Sequence, residues 1–221
     1  MNTDEKEVKE IYEKYGEYFE QAVLKDPERQ NLSKVLHSMT GNIKGKQILD
    51  AGCGAGFDAE YFARNGAKVL AVDISEKMLD IARKRCEGLD VEFQLKDIEN
   101  LESDRQFDII LVAFTLLYKE NFKNFLKKFY QILKPDGELF IVLPHPVRKM
   151  TKYTNNYFER GKRWEEHEGM KWFNYYRTME NYFNALITEN FVIQEIKEIE
   201  PIAKEEIIYP IFLIIKASKK V

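Results

Sequence analysis

At 221 residues, 44% of them hydrophobic and 32% charged, the chain has the size and composition of one globular domain with room for an insertion. Its formal net charge of −3 argues against broad nucleic-acid binding, which rests mainly on phosphate neutralisation. No apolar run nears the ~18–20 residues that span a bilayer, and two cysteines with three scattered histidines give no metal-ligand pattern, so neither a membrane span nor a metal is expected.

The opening MNTDEKEVKE is acidic and polar, which predicts no export signal, reduced thiols at Cys53 and Cys86 and a cytoplasmic location. Residues 4–25 then carry Val8, Ile11, Tyr12, Tyr15, Phe19, Ala22 and Val23 at helical spacing, and residues 31–39 repeat the pattern with Leu32, Val35, Leu36 and Met39. Gly41 and Gly45 end it, and residues 1–45 are read as a helical lid. From Gln47 the rhythm changes to short strands alternating with helices. Strands are expected at 48–51, 68–72, 91–95, 107–113 and 138–143. Helices are expected at 58–65, closed by Gly66, at 76–86 with Ser75 as N-cap, and at 122–133 before the turn Lys134-Pro135-Asp136-Gly137. Such alternation implies right-handed crossovers and a parallel sheet covered on both faces, which suits a run like FDIILVAF.

Residues 46–144 thus form the core, and residues 145–176 interrupt it. That polar, aromatic stretch holds both tryptophans and is expected to lie over the sheet edge as a substrate-side lid. Residues 177–221 close the core with a helix at 177–190 and an antiparallel strand pair at 191–199 and 207–217.

The stretch ILDAGCGAGFDAEYFARNGAKVLAVDIS carries the chemistry. Gly52, Gly54 and Gly56 follow a strand, where a ligand can approach bare backbone and the next helix aims its amides. Asp73 ends the neighbouring strand, where a carboxylate can accept from both ribose hydroxyls. The third glycine of GxGxxG is replaced by Phe57, which counts against a nicotinamide dinucleotide. Asp50 beside the loop suits a ligand with an amino-acid end better than a pyrophosphate, although it can also cap the loop. Asp97, ending the third strand, can take an adenine amino group while Ile98 flanks the ring.

ILDAGCGAG, VLAVDIS, LKDIENL, FDIILVAFTLLY and LKPDGELFIVLP resemble, in order, the motifs of class I S-adenosylmethionine-dependent methyltransferases. The likeness is to the small-molecule type related to the ubiquinone and menaquinone methyltransferases, over roughly residues 45–145. It implies an α/β, Rossmann-like, seven-stranded, mostly parallel sheet with an antiparallel last strand. It implies S-adenosylmethionine as cofactor, contacted by Gly52 and Gly54, with Asp73 and Ile74 at the ribose and Asp97 and Ile98 at adenine. Ala113 and Phe114 would border the methionyl end. Independently of the resemblance, the first helix with Tyr12, Tyr15 and Tyr18 is read as closing over the cofactor, with core packing as the alternative for Tyr15. Some members carry His-Pro after the fifth strand, matched by His145-Pro146, and a His-His-Arg-[ST] segment, replaced here by Tyr175-Tyr176-Arg177-Thr178. His145 is the candidate general base; a histidine bonded to a loop carbonyl is the alternative.

AFTLLY after the fourth strand, rather than [DN]PP[YF], and the lack of Pro-Cys point away from amide, adenine and pyrimidine-C5 acceptors. A small-molecule acceptor is expected, and the aromatic lid would suit even a cationic one. An S-adenosylmethionine sensor without transferase activity is the alternative reading. The sequence says nothing of oligomeric state.

Overall fold

The computed structural model describes residues 3–101, 103–167, 169–202 and 208–220. Two helices come first, α1 (Thr3–Lys25) and α2 (Pro27–Met39). The alternating part follows: β1 (Gln47–Ala51), α3 (Phe57–Arg64), β2 (Lys68–Asp73), α4 (Glu76–Arg85), β3 (Val91–Leu95), β4 (Phe107–Ala113), α5 (Lys123–Ile132) and β5 (Leu133–Pro144). A short helix α6 (Arg148–Lys152) and a hairpin, β6 (Gly161–His167) with β7 (Met170–Tyr176), make up the insertion. Then α7 (Met179–Thr188), β8 (Phe191–Ile199) and β9 (Phe212–Lys219) complete the chain.

Seven strands form one sheet in the order β3-β2-β1-β4-β5-β9-β8. All neighbours run parallel except β9, which is antiparallel to both β5 and β8. The strand order turns back between β1 and β4, the place where open parallel sheets bind ligands. Both faces of the sheet are covered. One carries α5 and α7, with Phe125, Phe129 and Leu186 packed on Leu49, Ile110 and Leu139. The other carries α2, α3 and α4, with Leu36, Phe62 and Leu79 packed on Ile48, Ile109 and Phe140. Burying each such side chain contributes ~1.5–3 kcal/mol before conformational entropy is counted, so the strand ends are held on a stiff base.

Local chemistry explains the boundaries. Ser75 caps α4 by accepting from Met78 N (3.2 Å). Helix α2 begins earlier than the apolar spacing predicts, because Asp26 caps it by accepting from Glu28 N (2.9 Å) and Pro27 takes the first turn. The Lys134-to-Gly137 turn lies inside β5 as an irregularity: Phe107 pairs with Leu133, but Ile109 already pairs with Glu138. The last strand starts at Phe212 rather than at 207, and position 207 lies outside the described residues.

The insertion does not lie over a sheet edge. Its β7 packs Phe173 and Tyr175 against Val8 and Ile11 of α1 and Tyr118, which follows central β4, so the hairpin stands above the carboxyl ends of the strands. The apolar faces of α1 and β7 cover each other there, which an edge position would not allow. Among the described residues, no helix is long and apolar enough to cross a membrane.

Candidate functional site

At the end of β1 the chain turns through Gly52 and Gly54, with φ of 84° and 52°. A Cβ on Gly52 would lie 2.0 Å from Thr115 Oγ1, so only glycine allows this approach. Thr115 in turn donates toward Ala51 O (3.1 Å), fastening the end of β1 to the segment after β4. Gly52 N and Cys53 N both donate to Val72 O, and Gly54 N donates to Asp73 Oδ2 (2.9 Å). Asp73 Oδ1 accepts from Ser75 N (3.0 Å). The carboxylate is buried, its pKa is held up by that burial, and the amides of Ser75, Gly54 and Ile74 all donate to it, leaving about one of its four acceptor sites open.

One cleft gathers Gly52, Gly54, Asp73, Ile74, Asp97, Ile98, Ala113 and Phe114 from the ends of the first four strands. These are expected site residues, brought together as the sequence reading placed them. Phe114 is held at φ 59°, unusual for a non-glycine residue, and its N–H donates to Val142 O (2.8 Å). The guanidinium of Arg29 from α2 stacks over its ring at 3.6 Å, with its pKa lowered by burial to about 10.

Asp97 has partners the sequence did not reveal. Its Oδ1 accepts from Glu99 N (2.7 Å) and its Oδ2 pairs with Lys119 Nζ (2.5 Å). Glu5 of α1 and Glu99 come within 4.8 Å of Asp97, and burial raises the Glu99 pKa. The three carboxylates have metal-like spacing, but the Lys119 ammonium already supplies a cation there, 3.9 Å from Glu99. Any adenine amino group would therefore share Asp97 with Lys119.

Three expected cofactor residues lie elsewhere. Gly56 starts α3, and its missing side chain admits α4: a Cβ would meet Ala82 Cβ at 2.9 Å. Asp50 is buried behind the loop rather than on the cleft wall. It accepts from the Ala59 amide, while its Oδ2 has no hydrogen-bond partner. Burial, then Asp58 and Asp73, raises its pKa well above the usual carboxylate value. Tyr15 lines an outer groove with Trp164. Tyr12, one turn or about 4.5 Å nearer the helix start, reaches the cleft instead and bonds Tyr118 through their hydroxyls (3.0 Å).

Helix α1 roofs this cleft with Asp4, Glu5, Val8 and Tyr12. With the roof seated the free volume is about 70 Å³, well under the ~300 Å³ of a small-molecule site. The floor suits a nucleoside, with bare backbone at Gly52 and the buried carboxylate of Asp73, and α1 covers it closely.

A second cavity of about 210 Å³ lies beside it, lined by Leu117, by residues around His145 and by the aromatic face of the hairpin. His145 is on its wall, but both ring nitrogens are engaged. Nδ1 accepts from Val147 N (3.2 Å), so Nε2 carries the proton and faces Glu198 Oε1 (2.9 Å). Burial lowers the pKa of His145, and in this arrangement neither nitrogen is open to take a proton from an acceptor. One ring nitrogen is held within its own loop, but the other meets Glu198 of β8 rather than a loop carbonyl, so the bonding differs from the expected alternative.

Comparison with known proteins agrees with this geometry. Residues 48–137 match the methyltransferase domain family. An uncharacterised protein of Haemophilus influenzae is 32% identical over 190 residues, 73% of each chain. The ubiquinone biosynthesis O-methyltransferase of Coxiella burnetii is 40% identical over 101 residues, 44% of this chain and 43% of its own. The chain thus matches less than half the length of that quinone enzyme. The crystal structure of a Listeria monocytogenes protein assigned to the S-adenosylmethionine-dependent methyltransferases superposes with a TM-score of 0.76 at 29% identity, covering 84% of this chain and 96% of that one.

Proposed function

The chain belongs to the class I S-adenosylmethionine-dependent methyltransferases, related to the quinone methyltransferases, and from that premise we propose that it methylates a small acceptor held in the second cavity, by positioning and exclusion of water. When bound, S-adenosylmethionine supplies a methyl group already activated by its sulfonium. The protein's task is alignment and desolvation, and alignment alone can supply ~7–11 kcal/mol of barrier reduction.

Each residue has a part in that task. Asp73 accepts from the ribose with the acceptor capacity that the amides of Gly54, Ser75 and Ile74 leave open. Gly52 and Gly54 let the backbone approach without a Cβ. Asp97 takes the adenine amino group between Ile74 and Ile98. Ala113 and Phe114 border the methionyl end, and Arg29 behind Phe114 supplies positive charge for its carboxylate. Asp50 lies buried under the loop with one oxygen that has no hydrogen-bond partner, an acceptor placed beneath the bare backbone. Of the expected 1–45 lid, only α1 plays that part, with Val8 and Tyr12 keeping water out once it closes; α2 packs on the sheet as core.

The observation that carries this reading is the meeting of Gly52, Asp73, Asp97 and Ala113 around one cleft at the switch point of the sheet, with a ring-lined cavity alongside. Labelled methyl transfer from S-adenosylmethionine to a panel of phenols, acids and amines tests it. Transfer that falls with Asp73→Ala is the expected result. Tight nucleoside binding with no transfer to any acceptor would favour a sensor instead.

A further inference from the structure

The second cavity has a particular imbalance of charge. Glu165 is the only carboxylate among its lining residues, and three neutral donors already hold it. Its Oε2 accepts from Trp172 Nε1 and its Oε1 from Asn174 Nδ2, both at 2.9 Å, and the Tyr176 hydroxyl bonds it as well. Arg177 is also used up. Its Nη1 donates toward Leu116 O and Tyr175 O, and its Nη2 donates to the carbonyls of Lys119 and Glu120.

Lys149 is different. It is 8% exposed, and its ammonium donates to Glu159 O (3.1 Å) and Arg177 O (3.3 Å). The rings of Tyr176 and Tyr157 lie 4.9 and 5.7 Å from its nitrogen. Among the described residues no carboxylate lies within ion-pair distance of it. Nearby Glu159 pairs with Arg163 Nε (2.5 Å) and acts on Lys149 only from beyond ion-pair distance, offsetting part of the cost of its burial. An ammonium has three N–H groups, and two of these have protein acceptors. Burying an ammonium without a counter-ion is costly, and burial lowers the Lys149 pKa to about 8. Tying together two carbonyls needs only a neutral donor, so the charge calls for another explanation.

The geometry points to Lys149 as the subsite for an acidic oxygen of the methyl acceptor, which makes the acceptor a flat aromatic carboxylate or phenolate and not a cation. The inference rests on reading the second cavity as the acceptor site. Tyr153, Trp172 and Tyr176 supply faces for a ring, and Lys149 meets its anionic edge. The aromatic insertion therefore does not select a cationic substrate: the cations that line this cavity, Arg148, Lys149 and Arg177, belong to the protein.

Binding to protein saturated with S-adenosylhomocysteine tests this with three probes that share one ring: 4-hydroxybenzoate, 4-hydroxybenzamide and 4-hydroxybenzylamine. At pH 7 the acid is expected to bind at least about tenfold tighter than the amide, and the amine weakest. Lys149→Met should reduce the acid-to-amide ratio to about twofold while S-adenosylhomocysteine and amide affinities stay within about twofold; Lys149→Arg should keep the acid preferred. A purely structural lysine would shift all three probes together. Wild-type protein that holds S-adenosylhomocysteine but binds the acid no tighter than the amide overturns this inference alone, as does a Lys149→Met protein that keeps the full ratio. Wild-type protein that fails to hold S-adenosylhomocysteine overturns the parent reading and this inference with it.

Discussion

The floor of the cofactor cleft is carried by β1 and β4, which bury Ile48, Leu49, Ile109 and Ile110 completely, whereas the roof is a 23-residue helix, α1, that buries only Glu5, Val8, Ile11 and Gly16. Backbone hydrogen bonds hold the floor: Gly52, Cys53 and Gly54 are tied to Val72 and Asp73. Polar side chains hold the roof. Glu13 accepts from Ser75 Oγ and Glu76 N at the start of α4, and Asp4 meets Lys162 and Tyr175 of the hairpin. A rigid floor fixes the ligand's orientation, and a weakly held roof can open to admit it, as low-stability elements over binding sites generally do.

The strongest way to break the floor is Gly52→Ala. A left-handed alanine costs roughly 1–2 kcal/mol, and the new Cβ also overlaps Thr115. Loss of S-adenosylhomocysteine binding by more than about 100-fold and a lower melting temperature are expected from calorimetry and thermal scans. Adding Thr115→Gly should recover part of both, because it removes the overlap but not the strain. A Gly52→Ala protein with normal binding would show that the close approach is not needed.

The roof should respond differently. Glu13→Ala removes an acceptor at the α4 N-terminus, a change of about 1 kcal/mol. Hydrogen exchange should quicken about fivefold in α1 while β1 and β4 stay protected, and equal changes in both would erase the distinction.

Asp50→Asn sharpens the comparison on the floor. Burial raises the Asp50 pKa in the folded state, so its favourable contribution exists at low pH and is lost as pH rises through the folded value. At pH 7 the wild type thus carries a penalty that asparagine removes. A gain of about 1 kcal/mol, or ~2–4 °C in melting temperature, is expected together with weaker S-adenosylmethionine binding. The smallest effect belongs to Lys162→Ala, which cuts the pairs to Asp4 and Glu7. About 0.2–1 kcal/mol of roof closure should be lost at low salt and nearly nothing at 1 M salt, read as faster nucleoside dissociation.

The same contrast explains what the sequence disclosed. The glycine turn, Asp73 and Asp97 are local signals, because a strand end followed by a loop fixes where those residues point. Thr115, Lys119, Arg29 and Lys149 come to the two cavities and their walls from elements far apart in the chain, and no spacing announces them. Tyr15 was expected where Tyr12 stands because both share an apolar face, and the sequence does not say how far along α1 the cleft extends. The hairpin was hidden because β6 is largely charged, with Lys162, Arg163, Glu165 and Glu166 masking any alternation. Asp26-Pro27 was legible as a helix start, yet the apolar spacing alone placed that start too late.

The central claim, that the bare backbone at Gly52 and Gly54 and the carboxylate of Asp73 hold the cofactor, is tested most directly by calorimetric titration of wild type, Asp73→Asn and Asp73→Ala with S-adenosylmethionine, S-adenosylhomocysteine and NADH. The two sulfur nucleosides should bind wild type and NADH should not. Affinity should fall by at least about tenfold in Asp73→Ala and by less in Asp73→Asn, which keeps one acceptor oxygen. NADH as the sole ligand, or an Asp73→Ala protein that folds and binds S-adenosylmethionine unchanged, would contradict the account.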